Sequence, residues 1–520
     1  MLRKTRIILA TVMFALVTLL FLDFTGTLHR WIGWAAKIQF LPALLALNTV
    51  VVIALVALTL VCGRIYCSVI CPLGVTQDII ARLRKKRNPY RYSPAKTWLR
   101  YAMLAVMIVA LMAGVGAIAA LLEPYSSFGR MVSNLLQPIY IAGNNCLAYL
   151  AERMDSYAFY GREVWIRSLP TFVIAVATLV IIAVLAFRGG RTYCNTICPV
   201  GTLLGIISRH SWMKIHIDTE KCTGCGLCGR NCKASCIDTK NHKVDYSRCV
   251  VCGDCIDKCH EKAISFGIKG KAPADKHATG RPAKTADRQT ATADRKSQNE
   301  TVDRSKRHFL LAGLATVGTT ALAEEKVKLD GGLAELEKKV APKRQTPLTP
   351  PGSMSAKNMY QHCTGCQLCV SACPNDVLRP SASLDRLMQP EMSYEHGYCR
   401  PECNRCSTVC PAGAIKPITP AVKSATHIGH AVWIKKNCIP VADGVNCGNC
   451  ARHCPVGAIT MVPLDKNAPL TDKEGNDLHP LMIPVVNEEM CIGCGACENL
   501  CPARPFSAIY VEGHETHRTK

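Results

Sequence analysis

Cysteine is the residue whose type and spacing carry most of the chemistry here. The chain of 520 residues has 31 of them, bunched at fixed intervals rather than scattered as buried apolar residues would be. Cys222, Cys225, Cys228 and Cys232, then Cys249, Cys252, Cys255 and Cys259, both read CxxCxxCxxxC. Three thiolates at this spacing wrap a tight loop round one face of a cubane, and in two-cluster ferredoxins the fourth cysteine of each run ligates the other cluster. The expected sets are therefore Cys222, Cys225 and Cys228 with Cys259, and Cys249, Cys252 and Cys255 with Cys232. Cys236 is left over and is the alternative to Cys232. Neither run has the usual proline after its last cysteine; Lys233 and His260 stand there. Zinc sites use separated CxxC knuckles, so the triple-cysteine loops point away from zinc.

Sixteen more cysteines form four runs, each ending in Cys-Pro: Cys363, Cys366, Cys369, Cys373; Cys399, Cys403, Cys406, Cys410; Cys438, Cys447, Cys450, Cys454; and Cys491, Cys494, Cys497, Cys501. The middle two runs have enlarged first loops, with three residues between Cys399 and Cys403 and eight between Cys438 and Cys447. A third pattern is a repeat. Residues 63–74 read GRIYCSVICPLG and residues 190–201 read GRTYCNTICPVG, identical at eight of twelve positions. Each copy holds two thiols four positions apart, Cys67 with Cys71 and Cys194 with Cys198, which places them on one helix face. Four thiolates from two copies can share one iron–sulfur cluster or another metal; they can also form redox disulfides or stay as thiols.

The elements that must position these motifs are legible from hydropathy. Residues 7–22, 40–62, 101–122 and 168–187 are free of charge and are expected to cross a bilayer as helices, the first being short for a full span. A CxxxCP copy follows the second helix of each pair, so the anchor reads as a duplicated hairpin whose halves are related by a pseudo-twofold along the membrane normal. Arg3, Lys4 and Arg6 precede the first helix, and nine Lys/Arg lie from Arg64 to Arg100, whereas the loops after helices one and three are balanced. The positive-inside rule then sets both ends of the anchor in the cytoplasm. The net charge of +24, from 62 basic and 38 acidic residues, is assigned to membrane-flanking loops and a basic linker. Its basic residues are dispersed and interleave with no aromatic stacking surface, so no nucleic-acid partner is expected.

The fold class expected is thus multidomain: an α-helical membrane domain of four helices plus α+β ferredoxin-like [4Fe-4S] domains. Residues 1–213 form the anchor and 214–270 a two-cluster ferredoxin domain. Residues 271–303, with one Val and no other large apolar side chain, form a disordered tether. Residues 304–323 resemble a twin-arginine export signal, with Lys306 before Arg307 in place of the first arginine, or else an amphipathic membrane-edge helix. Ala321-Leu322-Ala323 offers a processing site. Residues 324–355 form a second linker and 356–520 the four-cluster domain. No GxGxxG on a strand-to-helix turn, no P-loop and no CxxCH is present, so nicotinamide, nucleotide and c-type haem chemistry are not indicated.

The four-run domain resembles the four-cluster electron-transfer subunits of molybdopterin oxidoreductases, in which one ferredoxin module is inserted in another. That resemblance implies Cys363, Cys366, Cys369 with Cys501; Cys491, Cys494, Cys497 with Cys373; Cys399, Cys403, Cys406 with Cys454; and Cys438, Cys447, Cys450 with Cys410. The GRxYCxxxCPxG anchor with its ferredoxin domain looks like the NapH family, and the export signal with the four Cys-Pro runs looks like the NapG family. Both belong to the electron-supply system of the periplasmic nitrate reductase; methylamine-utilisation accessory ferredoxins are similar.

The resemblance implies a multi-pass protein of the bacterial inner membrane, with residues 214–270 cytoplasmic and the C-terminal domain periplasmic. It implies quinol oxidation among membrane lipid, with electrons passing through six [4Fe-4S] clusters to a periplasmic reductase or cytochrome c. Quinol oxidation releases two protons, and Asp23, His29 and Glu123 are the candidates to receive them. Two other readings stand beside it: an electron-donating maturation factor for a partner metalloenzyme, and a conduit that faces the cytoplasm throughout.

Overall fold

The computed structural model describes residues 2–83, 89–156, 158–268, 328–329, 334–335, 337–465 and 480–519. The expected tether at 271–303 and the export-like segment at 304–323 lie outside the described residues. Two helices, Arg3–Leu22 and Leu169–Gly189, are long and apolar enough to cross a membrane. The expected second and third spans are not single helices. The second divides into Phe40–Leu45 and Thr49–Cys62, because Leu47 takes a left-handed φ of +53° and Asn48 caps the next helix by accepting from Val51 N at 3.4 Å. The third divides into Thr97–Met112 and Gly116–Leu122 at Gly114, whose φ of +72° suits a residue without a Cβ. A further helical stretch, Pro124–Met131 running through a π-turn at Val132–Leu136 into Gln137–Glu152, was not anticipated from the sequence.

The two copies of the repeat embrace. Pro72–Arg82 of the first packs on Leu169–Gly189 of the second, and Pro199–Ser208 of the second packs on Thr49–Cys62 of the first. The outward faces of helices Leu2–Leu22, Thr49–Cys62 and Leu169–Gly189 carry exposed Ile8, Val12, Val50, Ile53, Val173 and Val180. Inside stand three fully buried arginines, Arg64, Arg130 and Arg191.

The first ferredoxin domain follows directly and is built on the antiparallel pair Met213–Ile217 and Ile264–Ile268, with its own core of Ile215, Ile237, Val251 and Ile264. The C-terminal domain has antiparallel pairs Leu378–Pro380 with Pro390–Met392, Ile459–Pro463 with Met482–Val486, and Thr426–Trp433 with Ile509–Thr519. Its core is continuous with the bundle's, where Phe21, Tyr125 and Phe128 join Leu368 and Val370 in one buried cluster.

The two cysteine-rich domains sit at opposite ends of the first helix, Leu2–Leu22. At its start, Arg3 pairs with Asp254 at 3.0 Å and Asp257 at 2.7 Å of the first ferredoxin domain. Just past its end, Phe24 O accepts from Arg405 of the C-terminal domain at 3.2 Å.

Candidate iron–sulfur sites

The short cysteine loops close because residues between the thiols turn left-handed. Gly224, Gly365 and Gly493 occupy the third place of CxxC with φ between +62° and +74°. In the second run Val251 holds that place at φ +50°, uncommon for a β-branched residue. Each loop then enters a short helix carrying the third cysteine, as at Leu368–Ala372 for Cys369.

In the first ferredoxin domain the thiols group as the spacing suggests. Cys222, Cys225, Cys228 and Cys259 line one cavity. Cys255 lies within electrostatic reach of Cys252, Cys249 and Cys232. Cys236 stands beside that second set, its sulfur 3.6 Å from that of Cys232. The Cys236 thiol hydrogen-bonds to Cys232 and lowers it to about 7, while the same bond and one to Cys249 push Cys236 well up. That makes Cys232 the readier thiolate of the two.

In the C-terminal domain the grouping departs from the nested arrangement at all four fourth ligands. Cys363, Cys366 and Cys369 share a cavity with Cys410, not Cys501. Cys399, Cys403 and Cys406 share one with Cys373, not Cys454. Cys438, Cys447 and Cys450 share one with Cys501, not Cys410. Cys494 lies within electrostatic reach of Cys491 and Cys454, and Cys497 of Cys494 and Cys491, with Cys373 elsewhere. The reason is packing: helix Leu368–Ala372 lies on Arg405–Val409, and Asn449–Arg452 lies on Ala496–Asn499. Consecutive runs therefore exchange ligands, and two modules follow one another in series.

Each set offers sulfur alone. Four cysteine sulfurs are the donor set that a [4Fe-4S] cluster takes. Burial pushes Cys252 and Cys366 up to about 12 and Cys450 to about 11, so these thiols ionise as metal binds.

The sets also form a line. Cys255 reaches Cys228; Cys369 of the Cys363 set reaches Cys406; Cys494 reaches Cys399, whose backbone N–H donates to Cys494 O at 2.9 Å; and Cys497 reaches Cys450. Cys225, in the set farthest out on the first ferredoxin domain, is exposed. In the C-terminal domain the Cys363 set is nearest the bundle: a Cβ on Gly365 would lie 3.0 Å from Ala120 Cβ.

The two CxxxCP copies meet inside the bundle. Cys198 lies within electrostatic reach of Cys194, Cys71 and Cys67. The motif's other residues explain themselves in pairs. Arg64 donates to Cys194 O at 3.1 Å and to Cys67 Sγ at 3.7 Å; Arg191 donates to Cys67 O at 2.6 Å and to Cys194 Sγ at 4.0 Å. Gly74 and Gly201 leave the room these arginines fill, since a Cβ would lie 2.6 Å from Arg191 Nη1 or 2.8 Å from Arg64 Nη2. Cys71 and Cys198 are helix N-caps with proline next, and Gly201 N donates to Cys198 Sγ at 3.3 Å.

The three proton-acceptor candidates separate. Asp23 and His29 form a pair, Oδ2 to Nδ1 3.1 Å, and Asp23 also accepts from the backbone N–H groups of Gly26, Leu28 and His29, so it staples the turn after the first helix. Glu123 is elsewhere: fully buried, capping Pro124–Met131 by accepting from Ser126 N, and within reach of Tyr66, Tyr125, Tyr193 and Cys366. A site that sequence reasoning missed is a cavity of about 540 Å³ in the bundle wall, lined by Phe14, Phe128, Gln137, Trp165, Arg167 and Phe172. The Ser133, Asn134 and Gln137 side chains beside it bond to Ser371, Gln367 and Ser371 O, flanking Cys369.

A 4Fe-4S binding domain family model matches residues 44–89 and again 170–219, and a 4Fe-4S dicluster domain model matches 362–414 and 445–504. The second pair of matches falls on the two serial modules. The chain is 31% identical over 175 residues to the methylamine utilization ferredoxin-type protein MauM of Paracoccus denitrificans, covering 32% of this chain and 73% of that protein. It is 29% identical over 220 residues to MauM of Methylobacillus flagellatus, covering 40% and 84%. To the ferredoxin-type protein NapG of Escherichia coli K12 it is 29% identical over 195 residues, covering 35% and 81%. No solved structure matches.

Proposed function

This chain belongs to the family of ferredoxin-type iron–sulfur proteins that includes MauM and NapG, and from that premise we propose that it carries electrons from membrane quinol to a periplasmic reductase or cytochrome c. In this reading the anchor is of NapH type, multi-pass in the bacterial inner membrane. The first ferredoxin domain faces the cytoplasm and the C-terminal domain the periplasm, the six sets holding six [4Fe-4S] clusters.

The observation that carries the reading is the attachment of the two cysteine-rich domains to opposite ends of an apolar helix of 21 residues. A bound [4Fe-4S] cluster supplies one-electron exchange without bond chemistry.

The chain's own residues do the rest. The cavity has the size and apolar lining of a cofactor-sized ligand site, and Gln137 and Arg167 give it a polar end toward the Cys363 set. Quinol held there delivers electrons one at a time to that set. The line of thiols then leads outward through the Cys399 and Cys491 sets to the Cys438 set. Asp23 with His29, on the outer side in this reading, is the pair suited to take up the released protons.

The test has two arms. Protease added to intact spheroplasts should digest an epitope beyond residue 324 and spare the Cys222–Cys259 domain; protection of both overturns the topology. Reconstituted protein given a short-chain quinol should bleach its cluster absorbance, and Phe128→Ala should raise the half-saturating quinol concentration severalfold. No bleaching overturns the quinol reading.

A further inference from the structure

We infer that Gln367 tunes the cluster held by the Cys363 set: its side-chain amide, held from behind by Asn134 in the wall of the bundle cavity, donates from Nε2 to a sulfur of that cluster and raises its reduction potential. The tuning needs only the cluster; its consequence for electron entry rests on the quinol reading above.

Comparison of the cysteine runs isolates the residue. Four runs have the full CxxCxxC spacing, and in each the residue after the second cysteine is left-handed and leads into the short helix that carries the third. Three of them place glycine there, Gly226, Gly253 and Gly495, with φ between +71° and +78°. The run nearest the bundle places Gln367 there, at φ +65°. A residue with a Cβ takes that conformation at a steric cost that glycine escapes, and strain kept at one of four equivalent places points to work for its side chain.

That side chain stands between two cavities. Gln367 lines the cavity of Cys363, Cys366, Cys369 and Cys410, while Asn134 lines the one in the bundle wall. Asn134 Nδ2 donates to Gln367 Oε1 at 2.8 Å. The same nitrogen donates to Arg130 O at 2.9 Å, and because a backbone carbonyl only accepts, the orientation of both amides is fixed. The Gln367 oxygen therefore faces Asn134, and Nε2 takes the other corner of the amide. Gln367 is 2% exposed, and its Nε2 is buried with no partner among the described residues.

A buried donor left unpaired is costly, and a cluster among the four thiols supplies the acceptor that the protein does not. A hydrogen bond to cluster sulfur stabilises the more negative, reduced state and so raises the potential. The proton stays on nitrogen, and no bond is made or broken. The three sister runs, with glycine at this place, have no side-chain donor to offer from it. A low-potential cluster refuses electrons from quinol, so the set beside the cavity is the one that gains from such a donor.

The test uses the full chain in nanodiscs, with the electron paramagnetic resonance signal of the Cys363 set identified as the one that Cys410→Ser erases. Gln367→Gly supplies the residue of the sister runs, so the loop keeps its backbone and only the amide is lost. In a titration against redox mediators the signal should keep its intensity while the reduction constant of that cluster falls about tenfold, about 59 mV for one electron, with the other signals unmoved. Asn134→Leu, which replaces no ligand, should give a smaller shift in the same direction, because the amide is then free to turn its oxygen toward the sulfur. An unmoved midpoint in Gln367→Gly overturns the inference, as does a shift shared by every cluster. Should Gln367→Gly lose the signal, Asn134→Leu decides on the same terms. Quinol separates the two readings: Gln367→Gly should slow quinol-driven bleaching severalfold at an unchanged half-saturating concentration. A parent protein that quinol does not bleach refutes the quinol reading, while the mediator titration still decides the role of Gln367.

Discussion

The two ferredoxin domains dock on the bundle by different means. The first is held by charge: Arg3 on Asp254 and Asp257, and Lys233 on Asp78 at 2.8 Å and Asp254 at 3.2 Å, with Asp78 also bound by Arg6 and Arg191. The C-terminal domain instead meets the bundle through close backbone approach and neutral hydrogen bonds such as Ser133 to Ser371 at 2.8 Å. Its ion pairs there, among the described residues, are Arg162 and Arg167 on Asp376, with His396 Nδ1 3.7 Å from Glu163 as a third when the imidazole is protonated. The difference follows from connectivity. Strand Met213–Ile217 begins within a few residues of helix Pro199–Ser208, so the first domain is delivered to its seat and needs only orientation. The second arrives at the end of a long connection and must recognise its seat by shape.

The largest effect that would sharpen this contrast comes from the thiols at the shape-matched seat. Cys410→Ser and Cys366→Ser should erase the same electron paramagnetic resonance signal and cut quinol-driven reduction of the C-terminal clusters by more than about tenfold, since they disrupt the set next to the bundle. Cys501→Ser should spare that signal. The reverse pattern would restore the nested pairing. Next, Asp78→Ala leaves Arg6 and Arg191 buried without a carboxylate and Lys233 with Asp254 alone, and should cost about 3–5 kcal/mol, read as a lower denaturant midpoint for the first domain and bundle. A change below about 1 kcal/mol would mean that charge does not hold that seat.

A smaller loss is expected from Gly129→Val. A Cβ there would lie 2.5 Å from Cys366 O and 2.6 Å from Phe21 Cζ, so overpacking of about 1–3 kcal/mol should weaken the C-terminal seat alone. After proteolysis of the connection, the variant domain should wash off membranes that retain the parent domain, and should do so equally in low and high salt. The smallest effect concerns acid. Burial lowers His517 to about 4 while its Nε2 stays 3.0 Å from Thr349 Oγ1. Between pH 6.5 and 4 the unfolded chain takes a proton that the folded one refuses, so stability falls as pH drops through that window, by about 1 kcal/mol after allowing for solvent. His517→Gln should flatten that part of the pH dependence of the C-terminal denaturation midpoint.

What the sequence made legible was whatever is local. Thiols three apart must lie on one tight loop, and apolar runs announce buried or lipid-facing helices, so both sets of the first ferredoxin domain were legible whole and each C-terminal set three-quarters complete. The missing quarter in the C-terminal domain, the fourth ligand, depends on which runs stack. That is decided by helix Leu368–Ala372 choosing Arg405–Val409, a tertiary fact that no spacing contains. The helix breaks at Leu47 and Gly114 were hidden for a similar reason, because apolar residues continue through both while the backbone turns. Arg64 reads as a membrane-flanking charge; only the embrace of the two copies shows that it and Arg191 each cross to the other copy's cysteine.

The first helix, bound at Arg3 by one domain and just beyond Leu22 by the other, also works as a ruler. Its 21 residues rise about 31 Å, close to the thickness of a bilayer's hydrocarbon layer. Adding one residue would lengthen it by about 1.5 Å and swing everything past the insertion round by about 100°. Phe24 O would then point away from Arg405 while Arg3 kept its grip on Asp254. The length of one helix thereby sets the distance between the two docking points, and insertions within it should be tolerated far less well than changes to its exposed side chains such as Ile8 and Val12.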